Sequence, residues 1–302
     1  MKELSILVNN ISKNFNSQQA LDDISISIKK KELFGFIGPD GAGKTTLFRI
    51  LTTLLKPNNG TATVEGFDVV KDYKEIRKIS GYMPGRFSLY FDLTVEENLN
   101  FYASIFKTSV EENYHLIKDV YQQIEPYKKR LARNLSGGMK QKLALSCALI
   151  HQPKVLFLDE PTTGVDAVSR KEFWEMLKSL KEKGITILVS TPYMDEAVLC
   201  DRVALMQKGK ILSVDTPQNI IDSFEKPVLS IKTNRMYELI YDLRDLKNTL
   251  SAFRFGQCVH YCSILPEHDI KEITEYLKSK GHKNIEIEKI EPDIEDCFMD
   301  MM

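Results

Sequence analysis

The chain has 302 residues, enough for one large domain or two modest ones, and its 41 Lys and Arg nearly balance 42 Asp and Glu. A net charge of −1 argues against a nucleic-acid binder built on a basic face. No uncharged apolar run approaches the roughly 20 residues needed to span a bilayer, and MKELSILVNN lacks a signal peptide's apolar core. A cytosolic protein is expected, with any membrane role coming through a partner.

In chain order, residues 24–28 (ISISI) alternate with period two, as a half-buried antiparallel strand does. Leu33–Ile37 is apolar throughout, the pattern of a strand covered on both faces. Gly38-Pro39-Asp40-Gly41-Ala42-Gly43-Lys44-Thr45 follows it and leads into TTLFRILTTLL, a helical pattern. This fits the phosphate-loop motif G-x-x-x-x-G-K-[ST], in the strand-to-helix context that the motif requires. Glycines let backbone N–H groups curl around phosphate oxygens, and the helix starting near Gly43 adds its positive dipole end. Lys44 is expected to reach the β- and γ-phosphates and Thr45 to ligate Mg2+, with Thr46 counted among the nucleotide-binding residues. A glycine-rich turn with an incidental lysine is the ordinary alternative; the flanking strand and helix weigh against it.

Between about residues 86 and 152 the strands stop, and VEENLNFYASIF and EENYHLIKDVYQQI have helical spacing, as in a helical insertion. Near its end, Ser136 is a good N-cap and Gly137-Gly138 opens a helix N-terminus to close approach. Residues 155–158 (VLFL) read as another covered strand, ending in Asp159-Glu160. Asp159 can hold Mg2+ directly or through water, and Glu160 can polarise an attacking water as general base. A solvated acidic turn is the alternative, but a buried strand would aim both at the phosphate site. Residues 185–189 form a third apolar run, which passes through Ser190-Thr191 into Pro192. Strands of such sheets deliver side chains to ligands at their carboxyl ends, yet proline offers no side-chain donor and no N–H.

Beyond about residue 224 the segments PVLSIKT, MYELIYDLRDL, FRFG, CVHYCSI, DIKEITEYLKSKG and NIEIEKI read strand, helix, strand, strand, helix, strand. That is the split β-α-β order of ferredoxin-like modules, joined near Glu225. The five cysteines, Cys147, Cys200, Cys258, Cys262 and Cys297, are scattered. Cys258 and Cys262 could be half a metal site, but no His or Cys pair at ligand spacing completes it, so reduced structural thiols are expected.

Ser136-Gly137-Gly138-Met139-Lys140-Gln141 lies 23 residues before Asp159 when counted from Ser136, after the phosphate loop and before the acidic strand end. In this order and spacing the three motifs resemble those of ATP-binding cassette proteins, over about residues 3–224. The resemblance implies an α/β P-loop NTPase of cassette type in a domain of residues 1–224: a mixed sheet core, an antiparallel β subdomain and a helical subdomain at about 86–152. A small α+β ferredoxin-like domain, 225–302, would follow. It implies ATP and Mg2+ as cofactors and Phe15 as the aromatic stacked on adenine, a plain core phenylalanine being the alternative. In this family two cassettes pack head to tail. Each nucleotide lies between one chain's phosphate loop and the other's signature, here Ser136, Gly137, Gly138 and Gln141, while residues 161–166 cross to the second cassette. The wording of GYMPGRFSLYFDLTVEENL, SRKEFWEML and STPYMDEAVLCDRV, with the ending EPDIEDCFMDMM, resembles the drug-export-like subfamily. Its members pair with separate integral membrane permease subunits. The implied protein is a cytoplasmic ATPase subunit, peripheral on the inner face of the cell membrane, that drives export.

Two positions depart from the family pattern. The family usually has Gln after GY-x-P, where this chain has Gly85, and His after the strand ending in Ser-Thr, where it has Pro192. That glutamine normally helps to hold Mg2+ and the attacking water, and the histidine touches the γ-phosphate. Losing one preorganised donor costs roughly 10²–10³ in rate, and two losses in one site need not multiply. Arg86 is a candidate stand-in. The expectation is intact binding, impaired hydrolysis in the chain's own site and a complete signature, which fits a heterodimer better than a homodimer. A regulatory cassette that binds ATP without hydrolysing it is the first alternative. A soluble cassette acting on ribosomes or DNA is the second; those usually carry two fused cassettes or a long coiled-coil insertion, with basic surfaces.

Overall fold

The computed structural model describes residues 3–16, 18–86, 88–265 and 270–302, in two units, Met1–Pro217 and Gln218–Met302. The core of the first unit is a six-stranded sheet in the order Lys210–Asp215, Arg202–Gln207, Leu33–Ile37, Thr186–Thr191, Val155–Asp159, Ser80–Met83. Neighbours are parallel except the first pair. Leu33–Ile37, Val155–Asp159 and Thr186–Thr191 are buried at every residue, which is why their sequences run apolar instead of alternating. Their carboxyl ends lie side by side: Ile37 pairs with Thr191, and Asp159 with Ser190. This is the edge where ligands bind in open α/β sheets.

Aromatic packing fixes the helix Lys44–Leu51 to this sheet. Phe36 meets Phe48 edge-on at 5.6 Å between centroids, and Phe48 meets Phe157 at 5.9 Å. Each such pair adds about 0.5–1.5 kcal/mol beyond area burial. The N-terminus of the helix is thereby held over the strand ends.

The second sheet is antiparallel, in the order Gln18–Lys29, Leu4–Phe15, Asn59–Val64, Phe67–Asp68. Ile24, Ile26 and Ile28 are buried, as their alternation predicts. The strand is 12 residues long, more than twice the alternating stretch. Its register against Leu4–Phe15 shifts between Val8/Ile11 and Ile11/Lys13, and those shifts break the period-two signal. The helical insertion holds Val95–Ile105, Val110–Tyr121 and Gly137–Leu149. The first two open on reciprocal capping boxes, Thr94 with Glu97 and Ser109 with Glu112.

The second unit is an antiparallel sheet in the order Thr249–Phe255, Cys258–Ser263, Val228–Lys232, Glu286–Ile290. Leu239 and Leu243 of Met236–Asp245 and Ile273 and Leu277 of Ile270–Ser279 share one apolar cluster with Leu229, Ile231, Val259 and Tyr261. The strand and helix order matches the ferredoxin-like pattern. A last helix, Ile294–Asp300, was not read from the sequence; a capping box of Asp293 and Asp296 starts it. All five cysteines are free thiols, four of them buried, and burial pushes Cys297 up to about 12. Among the described residues, no helix is long and apolar enough to cross a membrane.

Candidate nucleotide-binding site

Between Leu33–Ile37 and the helix Lys44–Leu51 the chain makes the turn 38–43. Gly38 hangs from the neighbouring strand, its N–H donating to Thr191 O at 3.3 Å. A Cβ at residue 38 would lie 2.1 Å from the carbonyl oxygen of Met206, so only glycine fits. Gly43 has φ 104 and makes no side-chain cap, which leaves the first N–H groups of the helix free of side-chain partners. Pro39, Asp40 and Gly41 are exposed, Ala42 is buried, and Gly43, Thr45 and Thr46 are half-buried.

Lys44 is 3% exposed. Its Nζ donates to Gly38 O at 2.6 Å and Pro39 O at 3.0 Å, and lies 3.9 Å from Glu160 Oε1. Burial lowers its pKa, and the nearby Glu160, Asp40 and Asp159 carboxylates offset part of that shift. The ammonium is thus folded back onto its own loop by carbonyls that an anionic ligand can replace.

Asp159, 2% exposed, ends its strand. Its Oδ1 accepts from the Thr45 hydroxyl at 3.0 Å and the Ser190 hydroxyl at 2.5 Å. A threonine hydroxyl and a buried carboxylate at this distance fit a hard cation such as Mg2+, which takes oxygen ligands. Glu160 follows in the left-handed region at φ 51, a conformation that costs a residue with a Cβ roughly 1–2 kcal/mol. Its N–H donates to Ser190 O at 3.0 Å, which helps to hold the turn. Burial raises the Glu160 pKa, Lys44 pulls it down, and Asp159 and Asp40 push it up.

The structure brings Gly38–Thr45, Asp159 and Glu160 to one edge, with Gly85 beside them. A Cβ at residue 85 would lie 3.1 Å from Asp159 O and 3.6 Å from Glu160 Cβ. Pro192 directly follows the strand end and is half-buried, while Arg86 is exposed. Phe15 is 45% exposed and carries Lys13 Nζ at 5.4 Å from its ring centre, so it is not a core residue. The signature residues pack elsewhere. Ser136 Oγ caps its helix by accepting from Met139 N–H at 3.3 Å, and a Cβ on Gly138 would come within 2.7 Å of Ser169 Oγ. Gln141 is half-buried on the first turns of that helix.

Sequence reasoning passed over Ser190 and Thr191 as functional groups. The only available signal was their place: two polar residues closing an apolar strand.

A glycine loop that opens a helix N-terminus, a buried lysine and a carboxylate sharing a threonine together define a P-loop nucleotide-binding protein. The family model described as ABC transporter matches residues 21–163. The chain is 45% identical over 222 residues to the probable multidrug ABC transporter ATP-binding protein YbhF of Escherichia coli K12, covering 72% of this chain and 38% of that protein. It thus spans well under half the length of that relative. It is 31% identical over 272 residues to the doxorubicin resistance ATP-binding protein DrrA of Mycobacterium tuberculosis H37Rv, covering 88% of this chain and 77% of that one. Among solved structures, CbiO1 of Clostridium perfringens, part of an ABC transporter complex, matches with a TM-score of 0.66 at 27% identity over 73% of this chain and 92% of that one. The chain belongs to the ATP-binding cassette family, whose members are P-loop ATPases.

Proposed function

We propose that this chain is the ATP-binding subunit of an exporter, working in a dimer of cassettes that drives separate membrane permease subunits from the cytoplasmic face. Relatives named for multidrug transport and doxorubicin resistance support the direction. The nucleotide-binding domain is residues 1–224 and the accessory domain 225–302. ATP binds along Gly38–Thr46 with Phe15 against the base, and Mg2+ is held by Thr45 and Asp159. A groove of about 320 Å³ supports a permease partner: Tyr82, Met83, Leu89, Tyr102 and Phe106 line it, in the segments before and after Gly85.

Within the dimer, this chain's own site hydrolyses slowly. Its working contribution is Ser136-Gly137-Gly138, which completes a site on ATP held by a different cassette. The observation that carries this reading is the contact of Gly85 with Asp159 and Glu160. A residue with no side chain sits against the backbone carbonyl of Asp159 and the Cβ of Glu160, and at the adjacent strand end Pro192 offers no donor. Phosphoryl transfer is catalysed by positioning and electrostatic stabilisation, so missing positioning groups lower turnover more than binding.

The test is steady-state ATPase of the reconstituted complex. Gly137→Asp places a carboxylate against the partner's γ-phosphate and should abolish turnover, while Glu160→Gln should lower it modestly. Greater damage from Glu160→Gln would make this chain's own site the working one and remove the case for a heterodimer. Pro192 also favours a second reading, a cassette that binds ATP to lock a dimer and never hydrolyses it. ATP turnover by the isolated chain, measured beside binding, separates the two.

A further inference from the structure

Arg170 lies in the first turns of the helix Ala167–Glu182 and reaches the turn that follows the strand Thr186–Thr191. Its guanidinium lies over the Tyr193 ring at 4.3 Å, and its Nη1 is 3.9 Å from Asp195. Its Nε is 3.7 Å from Oε1 of Glu196. Both atoms are buried, and neither has a hydrogen-bond partner. Glu196 is 1% exposed. Its other oxygen accepts from the Thr191 hydroxyl at 2.5 Å, and that hydroxyl oxygen accepts from Tyr193 N–H at 3.1 Å.

A buried carboxylate is costly unless a cation and hydrogen bonds compensate it. Arg170 is the cation in place, and Thr191 supplies the hydrogen bond. The chain of contacts then enters the nucleotide site. Thr191 O receives Gly38 N–H, and Ser190, one residue earlier, holds both the Asp159 carboxylate and the Glu160 N–H. Whatever fixes the Thr191 side chain fixes the strand end that aims Asp159.

We infer that Arg170 is a positioning residue for Mg2+-dependent nucleotide binding. It acts through Glu196 and Thr191 on Asp159, and does not itself touch nucleotide. The inference rests on the reading that this chain binds Mg-ATP. Asp159 serves the metal, while the phosphate loop binds phosphate without it. Loss of Arg170 should therefore reduce the gain in affinity that Mg2+ brings and spare metal-free binding.

The experiment is equilibrium titration of ATP into the full chain, with Mg2+ and with EDTA, alongside thermal unfolding. Arg170→Met should lose about tenfold of the Mg2+-dependent gain, the low end of what removing a metal site's outer partner costs, with affinity in EDTA unchanged. Arg170→Lys keeps the charge and should recover most of the gain. Glu196→Gln should show the same selective loss, and it carries the test if Arg170→Met does not fold. The double variant should be no weaker than Arg170→Met, because two residues that act as one unit do not add. Equal losses with and without Mg2+, additive losses in the double variant, or unchanged affinity would each overturn the assignment. A wild-type chain that binds no ATP in either condition would instead overturn the functional reading, and this inference with it.

Discussion

Ser190 donates its hydroxyl proton to Asp159 Oδ1 at 2.5 Å, across the parallel pairing of two fully buried strands. The same carboxylate oxygen receives the Thr45 hydroxyl. Asp159 is therefore held from both sides, by the strand next to it and by the helix above it. Ser190→Ala leaves a carboxylate that is 2% exposed with one fewer donor. A hydrogen bond to a charged buried group is worth about 1.5–3 kcal/mol. Urea unfolding of the variant should show a loss of that order, with an unchanged denaturant slope.

Lys44→Ala should abolish measurable ATP affinity in equilibrium titration, because it removes the charge-assisted contact to phosphate. The nucleotide-free protein should not lose stability in proportion. The ammonium is 3% exposed, and burial depresses its pKa, so the folded chain bears a desolvation cost that the variant lacks. Unchanged ATP affinity would refute the assignment of the loop.

His151 gives a dependence on pH. Its ring stacks on Phe106 at 3.7 Å, and its Nε2 lies 3.1 Å from Ser80 O. Burial lowers its pKa from 6.5 to about 4, against the pull of the Ser80 carbonyl. The unfolded chain takes up this proton near 6.5 and the folded chain only near 4, so between those values the unfolded state binds more protons. The stability contribution is complete above the upper value and is lost as pH falls toward the lower one, by about 3 kcal/mol in all. His151→Gln should flatten that part of the stability profile, read from urea midpoints across the acid range.

A chain ending at Glu225 should bind Mg-ATP within a few-fold of the full protein. The second unit has its own apolar cluster, centred on Ile231, Leu239 and Tyr261. The groups proposed to hold ATP all lie before residue 217. A truncated chain that folds, by circular dichroism, yet fails to bind would show that the accessory unit takes part in the nucleotide site.

The phosphate loop and the acidic strand end could be read in advance because their residues are consecutive, and the flanking apolar runs announced the strands. Ser190 could not be read that way. Its role depends on the pairing of Asp159 with Ser190, 31 residues apart, and a single sequence does not display interstrand register. Glu196 was hidden for a different reason. In MDEA it has the look of surface charge, and only the fold of the turn buries it beside Thr191. The helix Ile294–Asp300 is seven residues long, too short for periodicity to mark, although Asp293 and Asp296 were spaced as a cap.

The carbonyl of Met206 sits where a side chain at residue 38 would begin. The loop is thus moulded against a strand, Arg202–Gln207, that supplies none of the groups proposed to hold ATP. Anyone transplanting these eight loop residues into another scaffold would have to carry that strand with them. A host with a bulged or laterally displaced strand at that place would leave the motif spelled correctly and shaped wrongly. The portable unit of ATP binding here is a loop together with its silent neighbour, and the letters of the motif describe half of it.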